Sequence, residues 1–410
     1  MNYEELKKHY DDILNKDKSS YKSSNDEPTP IDCVEEMCSK LPESFFMRDH
    51  IKVLDPCCGN GNFHFVLRYM LNERARGSYE LHFNDVNVDR TNNVKAIFGD
   101  DAIITNNDFL EFENPNKYDL IVANPPYAKL MSNGVRASKN HNLIQAFLHK
   151  SLELLHDGGY IMYIVPDNWM SLSDRNSVIK QLTQYQFHWL DIHTAKKFFP
   201  KIGSSFTWFI VEKTPFYKPF NVETLYKKGH FCSIVYSQVR QYIPLLYTDT
   251  VQTILKKTID MNNQKFAVET SSDLHKTTKK ICISDVQNAT FSHRLIHTPK
   301  QTVYANRPHK FQEGWKVFIS TTDTYKVFVD TCGMTQSIAF IRCETEDKAN
   351  AIKTILNHKL YVFLNNICRW GNFNNVRILQ RFPKAVDVST VYETFELTNE
   401  EIGFVEDIVR

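Results

Sequence analysis

The chain has 410 residues, of which 42% are hydrophobic, 13 are glycines and nine are cysteines. This length allows two ordinary domains with full cores, and no apolar run of about 18 residues predicts a membrane span. The polar stretch 1–25 lacks the apolar core of a signal peptide, and nine cysteines without a CxxC pair favour free thiols in a reducing compartment. We therefore expect a cytoplasmic or otherwise intracellular protein, and we predict no metal site.

Charge is distributed unevenly along the chain. Residues 1–214 hold 24 Lys/Arg against 29 Asp/Glu, whereas residues 215–410 hold 25 against 19. The basic excess of the second half would attract a polyanion, although a solvated surface explains it nearly as well.

The N-terminal stretch 1–28 is predicted to be an arm, with a short helix followed by a flexible Ser/Lys/Asp-rich segment. A helix should open immediately afterwards. Thr29 has the residue type of an N-cap, Pro30 suits the first helical position, and Asp32 suits the capping box.

A strand over 51–54 leads directly into a loop with two glycines, and apolar positions from Phe63 onward predict a helix. Strand, glycine loop and helix form the first half of a Rossmann-like unit. The loop lacks the third glycine of GxGxxG, so it does not predict pyrophosphate binding. Its candidate binding residues are Asp55, Pro56, Cys57, Gly59, Gly61 and Phe63.

Two further strands, over 79–83 and 102–105, lead to Asn84-Asp85 and to Asn107-Asp108. Asp85 stands where an acid typically binds ribose hydroxyls, although an exposed loop Asp is the simpler alternative. Asp108 beside Phe109 has the chemistry to read an adenine amino group and pack against its ring; alternatively, Phe109 belongs to the core.

The fourth strand, 118–123, ends in the sequence Asn124-Pro125-Pro126-Tyr127. Two prolines cannot continue a strand ladder, so a rigid corner is expected there. Its amide, free carbonyls and aromatic face suit a planar amino group, because acceptors hold the hydrogens and a ring covers the face. On these four residues alone, an ordinary strand-to-loop turn is an equally good interpretation.

Beyond the corner, helices over 143–155 and around 175–185 alternate with strands over 160–165, 188–192 and 206–212. This alternation predicts an α/β protein with a mostly parallel, doubly wound sheet of about seven strands. Ligands of such sheets bind at the carboxyl ends of the strands, where these motifs fall.

Pro215 and Pro219 mark the expected end of this domain, which we predict to span 29–214. The second domain, 215–410, should be mixed α+β, with strands over 316–319, 326–329 and 337–341 and one long amphipathic helix over 349–367. Its candidate DNA contacts combine Arg, Asn and aromatic side chains, which suit phosphates and base edges, although an ordered surface loop is as good an interpretation. They are Arg369, Trp370, Asn372, Asn374 and Arg377, with Lys201 added from the first domain.

Taken in order over residues 28–214, these motifs resemble those of S-adenosylmethionine-dependent adenine-N6 DNA methyltransferases of the gamma arrangement, including the TCGA-modifying type of Thermus aquaticus. Thr29-Pro30 resembles the N-terminal motif, Asp55–Phe63 the DPACGSGxF loop, and Asn124–Tyr127 the NPPY signature. Phe199-Pro200 resembles a later element whose Phe packs against the flipped base. Cys57 and Asn60 depart from the usual Ala and Ser.

The resemblance implies a Rossmann-like methyltransferase fold, S-adenosyl-L-methionine as cofactor and double-stranded DNA as partner. It assigns Asp85 to the ribose, Asp108-Phe109 to the adenine of the cofactor, and catalysis to Asn124, Pro125, Pro126 and Tyr127, with Tyr127 and Phe199 against the target base. A separately encoded restriction endonuclease is a possible partner.

Other substrates remain open at this point. The same corner serves enzymes that methylate ribosomal RNA or a protein glutamine amide, since both offer a planar, delocalised nitrogen. A non-catalytic nucleic-acid-binding subunit would be expected to lack Asn124 or the glycine loop, and both are present.

Overall fold

A computed structural model describes residues 2–17, 27–127, 142–173, 177–237, 241–261, 264–322, 324–371 and 373–410. The chain divides into two compact units, Met1–Trp169 with Arg175–Gln241, and Met170–Asp174 with Tyr242–Arg410. Within the described ranges, no helix combines the length and apolar character needed to cross a membrane.

The first unit is organised around one nine-stranded sheet with the order β3-β2-β1-β4-β5-β7-β6-β8-β9. The strands are β1 His50–Asp55, β2 Ser78–Asn84, β3 Ala102–Thr105, β4 Tyr118–Ala123, β5 Leu155–Pro166, β6 Gln186–Ile192, β7 Phe206–Glu212, β8 Phe220–Tyr226 and β9 Gly229–Val235. Strands β1 to β5 pair with one another in parallel, whereas β7 runs antiparallel to both β5 and β6.

Helices connect and flank these strands. They are α1 Tyr3–His9, α2 Ile31–Cys38, α3 Glu43–Phe46, α4 Asn62–Arg74, α5 Val88–Phe98, α6 Asn142–Leu154 and α7 Ser177–Leu182. The apolar run of β4 is buried throughout its last four residues, as expected for a parallel strand covered on both faces. The predicted α/β class with a mostly parallel central sheet is thus confirmed.

The carboxyl ends of β1 and β4 form the topological switch point of this sheet. The chain runs from β1 to β2 and β3 on one side, and then returns to β4 on the other. Ligands of doubly wound proteins bind in the crevice at such a point. The glycine loop follows β1 and the proline corner follows β4, so both predicted motifs flank this crevice.

The sheet extends further than the sequence predicted. Strands β8 and β9 continue it beyond the expected seven strands, with β8 pairing parallel to β6. The first compact unit accordingly reaches residue 241, so the boundary predicted at 214/215 falls too early. The prolines at 215 and 219 mark a loop between two neighbouring parts of one sheet, and a proline-rich loop looks the same in sequence as a domain linker.

The short helix predicted at the start of the stretch 1–28 is present, since residues 3–14 are helical and bury Leu6 and Tyr10 in the core. The flexible segment predicted after it falls largely on 18–26, outside the described residues. The predicted cap of the next helix is wrong. Helix α2 begins at Ile31 with Pro30 as its N-cap. Thr29 does not cap it, because the Thr29 hydroxyl instead accepts a hydrogen bond from Asn124.

The second unit holds two four-stranded sheets with the orders β10-β17-β14-β15 and β11-β13-β12-β16. The strands are β10 Glu269–Thr270, β11 Ile283–Ser284, β12 His293–Thr298, β13 Gln301–Ala305, β14 Lys316–Ser320, β15 Val327–Asp330, β16 Gly333–Met334 and β17 Ile338–Arg342. The helices are α8 Asp249–Lys257, α9 Glu346–Leu356, α10 Lys359–Ile367, α11 Val376–Leu379, α12 Val391–Thr394 and α13 Asn399–Ile408.

The long helix predicted over 349–367 is two helices, α9 and α10. His358 interrupts it with an extended backbone and caps α10, since its Nδ1 accepts from the Leu360 amide at 3.2 Å. The apolar spacing runs through the break with little change, which is why the sequence pattern predicted one helix.

Candidate active site

The loop between β1 and α4 is shaped by its two glycines. Both adopt positive φ, +54° at Gly59 and +86° at Gly61, a conformation that L side chains rarely adopt. A Cβ on Gly61 would also approach the Phe98 ring to 3.1 Å, whereas Gly59 faces open space. The loop therefore turns tightly at Gly61 and leaves open space beside the Cα of Gly59.

Asp55 ends β1 and lines the crevice. Its side chain is 1% exposed, and its carboxylate accepts a hydrogen bond from the Cys57 amide at 3.2 Å. Burial raises the pKa of Asp55 well above its usual range, because the charged form loses its hydration. A cationic or hydroxyl group would be a favourable partner for this carboxyl.

Asp85, at the end of β2, holds the glycine loop from the neighbouring strand. One carboxylate oxygen accepts from the Gly59 amide and the other from the Asn87 amide, both at 2.9 Å. The Arg90 guanidinium lies 4.0 Å from the same carboxylate. Each carboxylate oxygen retains a second lone pair for a ligand hydroxyl.

Asn84 links the glycine loop to the end of β3. Its amide nitrogen donates to the carbonyls of Pro56 and Asn107, both at 3.0 Å, and its oxygen accepts from Thr105 at 2.8 Å and from the Asn107 amide at 3.2 Å. Sequence reasoning noticed this residue but assigned it no role. Its signal was the Asn-Asp pair at a strand end.

The two residues predicted to bind the cofactor's adenine are not in the crevice. Asp108 is exposed, and its carboxylate accepts from the Leu110 amide at 3.0 Å. Phe109 is 3% exposed and packs against Phe147 with ring centroids 5.1 Å apart. The alternative interpretation of Phe109 as a core residue matches this position.

The side chain of Asn124 at the proline corner is fixed at both ends. Its nitrogen donates to the Glu27 carbonyl at 3.2 Å and to the Thr29 hydroxyl at 3.3 Å, and its oxygen accepts from the Tyr127 hydroxyl at 2.7 Å. These three contacts define which end of the amide is the acceptor.

Three aromatic rings lie beyond the corner. Tyr127 and Phe199 both pack on Phe206, with centroid distances of 6.3 and 4.8 Å. Phe199 is only 4% exposed, so its face is covered by the core in this structure. Tyr127 is half-buried.

The turn that carries Phe199 is anchored by a buried carboxyl. Asp191 accepts hydrogen bonds from the Thr194 hydroxyl and from the Ala195 amide, the latter at 3.2 Å. Burial raises the pKa of Asp191 to about 8. Sequence reasoning missed this residue, because an Asp inside a strand gives no signal of the turn that it stabilises.

The crevice brings together six of the eleven predicted cofactor residues. From the prediction it includes Thr29, Asp55, Cys57, Gly59, Phe63 and Asn124. It is also lined by residues to which the sequence analysis assigned no role, namely Glu27, Pro28, Cys58, Asn60, Asn62 and Arg90. Asn60 and Asn62 lie in the loop itself, so their position was a usable signal; Glu27 and Arg90 belong to no motif.

The N-terminal segment 2–17 contacts the same loop. The Tyr10 hydroxyl donates to the Asn60 carbonyl at 2.9 Å, and the Asn60 amide donates to the Leu14 carbonyl at 3.3 Å. The Asn62 amide donates to Asn15 at 3.0 Å. This segment therefore supports the glycine loop in addition to the support that Asp85 gives it.

The predicted DNA contacts separate into buried and accessible residues. Asn374 and Trp370 are only 2% and 8% exposed, so both lie in the folded interior. The Asn374 side chain also donates to the Ser320 carbonyl at 2.8 Å. Arg369 is half-buried, while Lys201 and Arg377 are exposed. Asn372 lies outside the described residues.

Comparison with known proteins identifies a related family for the middle of the first unit. Residues 63–199 match the Eco57I restriction-modification methylase family. A type II methyltransferase of Thermus thermophilus is 29% identical over 141 residues, which are 30% of this chain and 31% of that protein. The type II methyltransferase M.VspI of Vibrio sp. strain 343 is 23% identical over 169 residues, 37% of this chain and 39% of that protein.

Among solved structures, a DrdV–DNA complex aligns with 98% of this chain and 59% of its own, with a TM-score of 0.55 and 10% identity. At this identity the likeness concerns the fold alone. The matched segments of the two methyltransferases span about a third of their lengths. In sequence, the resemblance inferred from the motifs is confirmed: residues 63–199 are similar to restriction-modification methylases of the Eco57I family.

Proposed function

We propose that this protein transfers a methyl group from S-adenosyl-L-methionine to the N6 amino group of an adenine in double-stranded DNA. The observation that carries the proposal is the convergence of Thr29, Asp55, Gly59 and Asn124 on one crevice at the ends of β1 and β4. The match of residues 63–199 to a restriction-modification methylase family supports DNA as the substrate class.

The crevice has the chemistry to hold the cofactor, which supplies an electrophilic methyl group on a sulfonium. An observation independent of the motifs supports this fit. Asn62 lines the crevice, and its side-chain oxygen is buried without a hydrogen-bond partner among the described residues. A buried acceptor left unpaired costs free energy, so a ligand donor such as an ammonium group would be favoured there.

Further contacts to the cofactor are assigned to the strand ends. The open space beside Gly59 permits close approach, and Asp85 keeps one lone pair on each oxygen for the ribose hydroxyls. Asp55 and Thr29 flank the same crevice. We retain Asp108 and Phe109 as proposed adenine contacts. This assignment requires the 107–110 segment to change conformation, because Phe109 packs on Phe147 and neither residue lines the crevice.

Asn124 is assigned to the target amino group. That nitrogen is a poor nucleophile, since its lone pair is delocalised into the adenine ring. The Asn124 oxygen uses one lone pair for the Tyr127 hydroxyl and has a second available for an amino hydrogen. The Pro125 carbonyl accepts the other hydrogen, and two acceptors out of the ring plane favour a tetrahedral, nucleophilic nitrogen.

The anchoring of the Asn124 amide is what makes this assignment effective. Its nitrogen is held by Glu27 and Thr29, so the oxygen is already oriented when the substrate arrives. Preorganised acceptors lower the barrier without reorganising during the reaction. The proton of the methylated nitrogen leaves to solvent, and no residue with a shifted pKa is required before transfer.

The target base must leave the duplex to reach this crevice, since its amino group is otherwise paired. We assign its two faces to Tyr127 and Phe199, whose aromatic rings tolerate nearby positive charge. Phe199 now packs on Phe206, so base entry requires it to turn away from that ring. Pro126 keeps the corner rigid while this happens.

The test is a methyl-transfer assay with labelled cofactor on unmethylated duplex DNA, on RNA and on protein, with Asn124→Ala as the inactive control. We expect label in DNA alone, recovered as N6-methyladenine after nucleoside hydrolysis. Label in RNA or in a glutamine side chain would transfer the chemistry to another substrate. Absence of label on every substrate, with DNA binding intact, would indicate a non-catalytic subunit and overturn the proposal.

A further inference from the structure

The hairpin formed by β8 and β9 carries three potential metal ligands on one face. One ligand atom from each of Glu223, His230 and Cys232 lies within 4.8 Å of the other two. The three side chains offer a carboxylate oxygen, an imidazole nitrogen and a thiolate sulfur, which are the ligands that zinc takes in proteins.

The register of the hairpin brings these side chains together. Glu223 is paired directly with Cys232, and His230 lies two residues before Cys232, so it points to the same face of the sheet. A two-residue turn joins the strands, and both of its residues have positive φ, +46° at Lys227 and +66° at Lys228. Turns of this kind match the twist of the strands and fix their register. The three ligands are therefore held on one face before any ion binds.

The opposite face of β8 is anchored in the protein interior. Its alternate residues are buried, namely Phe220, Val222, Thr224 and Tyr226. On the ligand-bearing face, 16% of the Glu223 side chain and 53% of the His230 side chain are exposed. An ion from solvent can reach this face, while the strand that carries the carboxylate is fixed by its buried side.

Cys232 differs from the other cysteines of the chain. It is exposed, whereas the other eight are buried or half-buried. It also lies on β9, the last strand in the order of the described sheet. An exposed free thiol is open to oxidation, and an edge strand is open to pairing with another chain. A metal ion bound to the thiolate would protect the sulfur and brace the edge.

The distances within the group are close to those of a zinc site. The Nε2 atom of His230 lies 2.5 Å from the Oε1 atom of Glu223. With bond lengths of about 2.0–2.3 Å, the ligand atoms of a tetrahedral zinc ion are about 3.3–3.6 Å apart. The His–Glu pair must therefore open by about 1 Å to admit the ion, and rotation of the exposed His230 side chain can supply a movement of this size.

We propose that Glu223, His230 and Cys232 bind Zn²⁺, with water in the fourth position. Sulfur and nitrogen ligands select Zn²⁺ over Mg²⁺ and Ca²⁺, which prefer oxygen. Cys232 binds as the thiolate, so its proton passes to the buffer when the ion binds. The sequence predicted no metal site, because the three residues lie on two strands and form no short motif.

The zinc site is separate from the cofactor crevice. Four strands lie between β4 and β9, which places the two edges about 24 Å apart at the usual strand spacing. The ion therefore stabilises the hairpin and takes no part in methyl transfer, and the proposal is independent of the proposed function.

Metal titration of the full-length, metal-free protein tests the ligand set. The wild type should bind one Zn²⁺ per chain in the presence of excess Mg²⁺. Titration with Co²⁺ should produce a thiolate-to-cobalt charge-transfer band that Zn²⁺ then abolishes. Cys232→Ser should lose this band, and Glu223→Gln and His230→Ala should each weaken Zn²⁺ binding by at least about tenfold.

The matched control is His149→Ala. His149 is exposed and lies 3.1 Å from Glu153, so it forms a similar His–Glu pair, but it does not belong to the three-residue group. The control should bind Zn²⁺ as the wild type does. If Cys232→Ser keeps the wild-type affinity, or if the control loses as much affinity as His230→Ala, the ion binds elsewhere and the proposal is wrong.

Alkylation of Cys232 measures binding at the residue itself and needs no variant. Iodoacetamide should label Cys232 in the metal-free wild type, and Zn²⁺ should slow this labelling at least about tenfold, as read from peptide masses. The same protection should appear in His149→Ala and be lost in His230→Ala. Labelling of wild-type Cys232 at the same rate with and without Zn²⁺ would overturn the proposal.

Discussion

At the scale of single residues, Asn124 is the most informative position. The Asn124→Ala variant loses the acceptor for the target amino group, so we expect methyl transfer to fall by about a hundredfold or more. Cofactor affinity should stay near the wild-type value, since the glycine loop and Asp85 are untouched. Single-turnover methylation and calorimetry with the cofactor measure the two effects.

Asn124→Asp is the matched comparison for that variant. It keeps an acceptor oxygen but cannot donate to the Glu27 carbonyl and the Thr29 hydroxyl. We expect activity between those of the wild type and the Ala variant. Wild-type turnover in Asn124→Ala would remove this side chain from the chemistry.

Asp85 is expected to act on the cofactor in two ways, through the ribose and through the glycine loop. In Asp85→Ala the Gly59 amide loses its hydrogen-bond acceptor. Leaving a buried amide unpaired costs about 1–3 kcal/mol of the free energy that holds the loop in place. Cofactor affinity should therefore fall about tenfold or more, with kcat at saturating cofactor less affected. Calorimetry that finds the wild-type dissociation constant would contradict both roles.

The sequence located residues at one edge of the sheet where they follow a strand. Asp55, Cys57 and Asn124 meet in the crevice because parallel strands end at one edge of the sheet, whereas Thr29 reaches it from the segment before α2. Arg90 could not be predicted, since its position depends on how α5 packs, and no local pattern encodes that. Asp108 also follows a strand but does not line the crevice in this structure, and the sequence gives no information on the direction of the turn after β3.

At the scale of elements, the N-terminal segment 2–17 is a support for the cofactor loop. Tyr10→Phe keeps the buried ring and removes the hydrogen bond to the Asn60 carbonyl, worth about 1 kcal/mol. We expect cofactor affinity to fall about fivefold, since the loop must then be ordered by the ligand.

The control for this prediction is Tyr3→Phe. Tyr3 lies in α1, within the same segment 2–17 as Tyr10, and donates to Glu35 at 2.6 Å; among the described residues its side chain has no hydrogen bond to the glycine loop. The Tyr3→Phe variant should lose stability without losing cofactor affinity. Equal affinity losses in the two variants would mean that the segment 2–17 acts only on overall stability.

The turn that precedes Phe199 should make stability depend on pH through Asp191. Its pKa is about 8 in the folded protein against 3.8 for an ordinary Asp. Between these two pH values the folded state keeps a proton that the unfolded chain has lost. The contribution of Asp191 to stability is therefore fully present below about pH 4 and is lost as the pH rises to about 8. The decline from one such group is at most about 1.4 kcal/mol per pH unit.

The Asp191→Asn variant checks this prediction, because its amide does not titrate. Urea unfolding of the two proteins between pH 5 and pH 8 should show wild-type stability falling relative to the variant. Parallel curves would mean that Asp191 ionises normally in the folded state. All other titrating groups are shared by the two proteins and cancel in the comparison.

Elements were predicted most accurately where apolar residues form short, uninterrupted runs. Strands β3, β4 and β7 have the predicted ends. The break between α9 and α10 was missed because it changes the direction of the chain without interrupting the apolar spacing. Helix α5 was missed because its polar residues and weak periodicity resemble a loop.

At the scale of the whole molecule, the order of motifs predicted the central sheet but not where it ends. The pairing of β8 with β6 joins strands that are distant in sequence, and sequence patterns carry no information on such pairs. Residues 170–174 likewise belong to the second unit although the chain around them belongs to the first. A linear boundary could not have described this division.

The division into two units predicts that their functions can be damaged separately, and Lys316 offers the test. It is 1% exposed, and its ammonium donates to the carbonyls of Glu313, Gly314 and Thr331 at 2.9, 2.6 and 2.7 Å. Burial lowers the pKa of Lys316, so these carbonyls are what keeps its charge tolerable. No residue of the cofactor crevice contributes to this site.

Lys316→Met keeps the aliphatic part of the side chain and leaves three carbonyls without their donor. We expect the free energy of unfolding of the second unit to fall by about 2–4 kcal/mol.

Hydrogen exchange followed by mass spectrometry measures this loss. Exchange should become faster in peptides from 264–322 and 324–356, while peptides from 50–123 keep their protection. Lys384→Met, at an exposed lysine, should exchange as the wild type does. Cofactor affinity should be retained in both variants, because the crevice belongs to the first unit and Lys316 to the second. Loss of cofactor affinity in Lys316→Met would mean that the two units do not keep their functions apart.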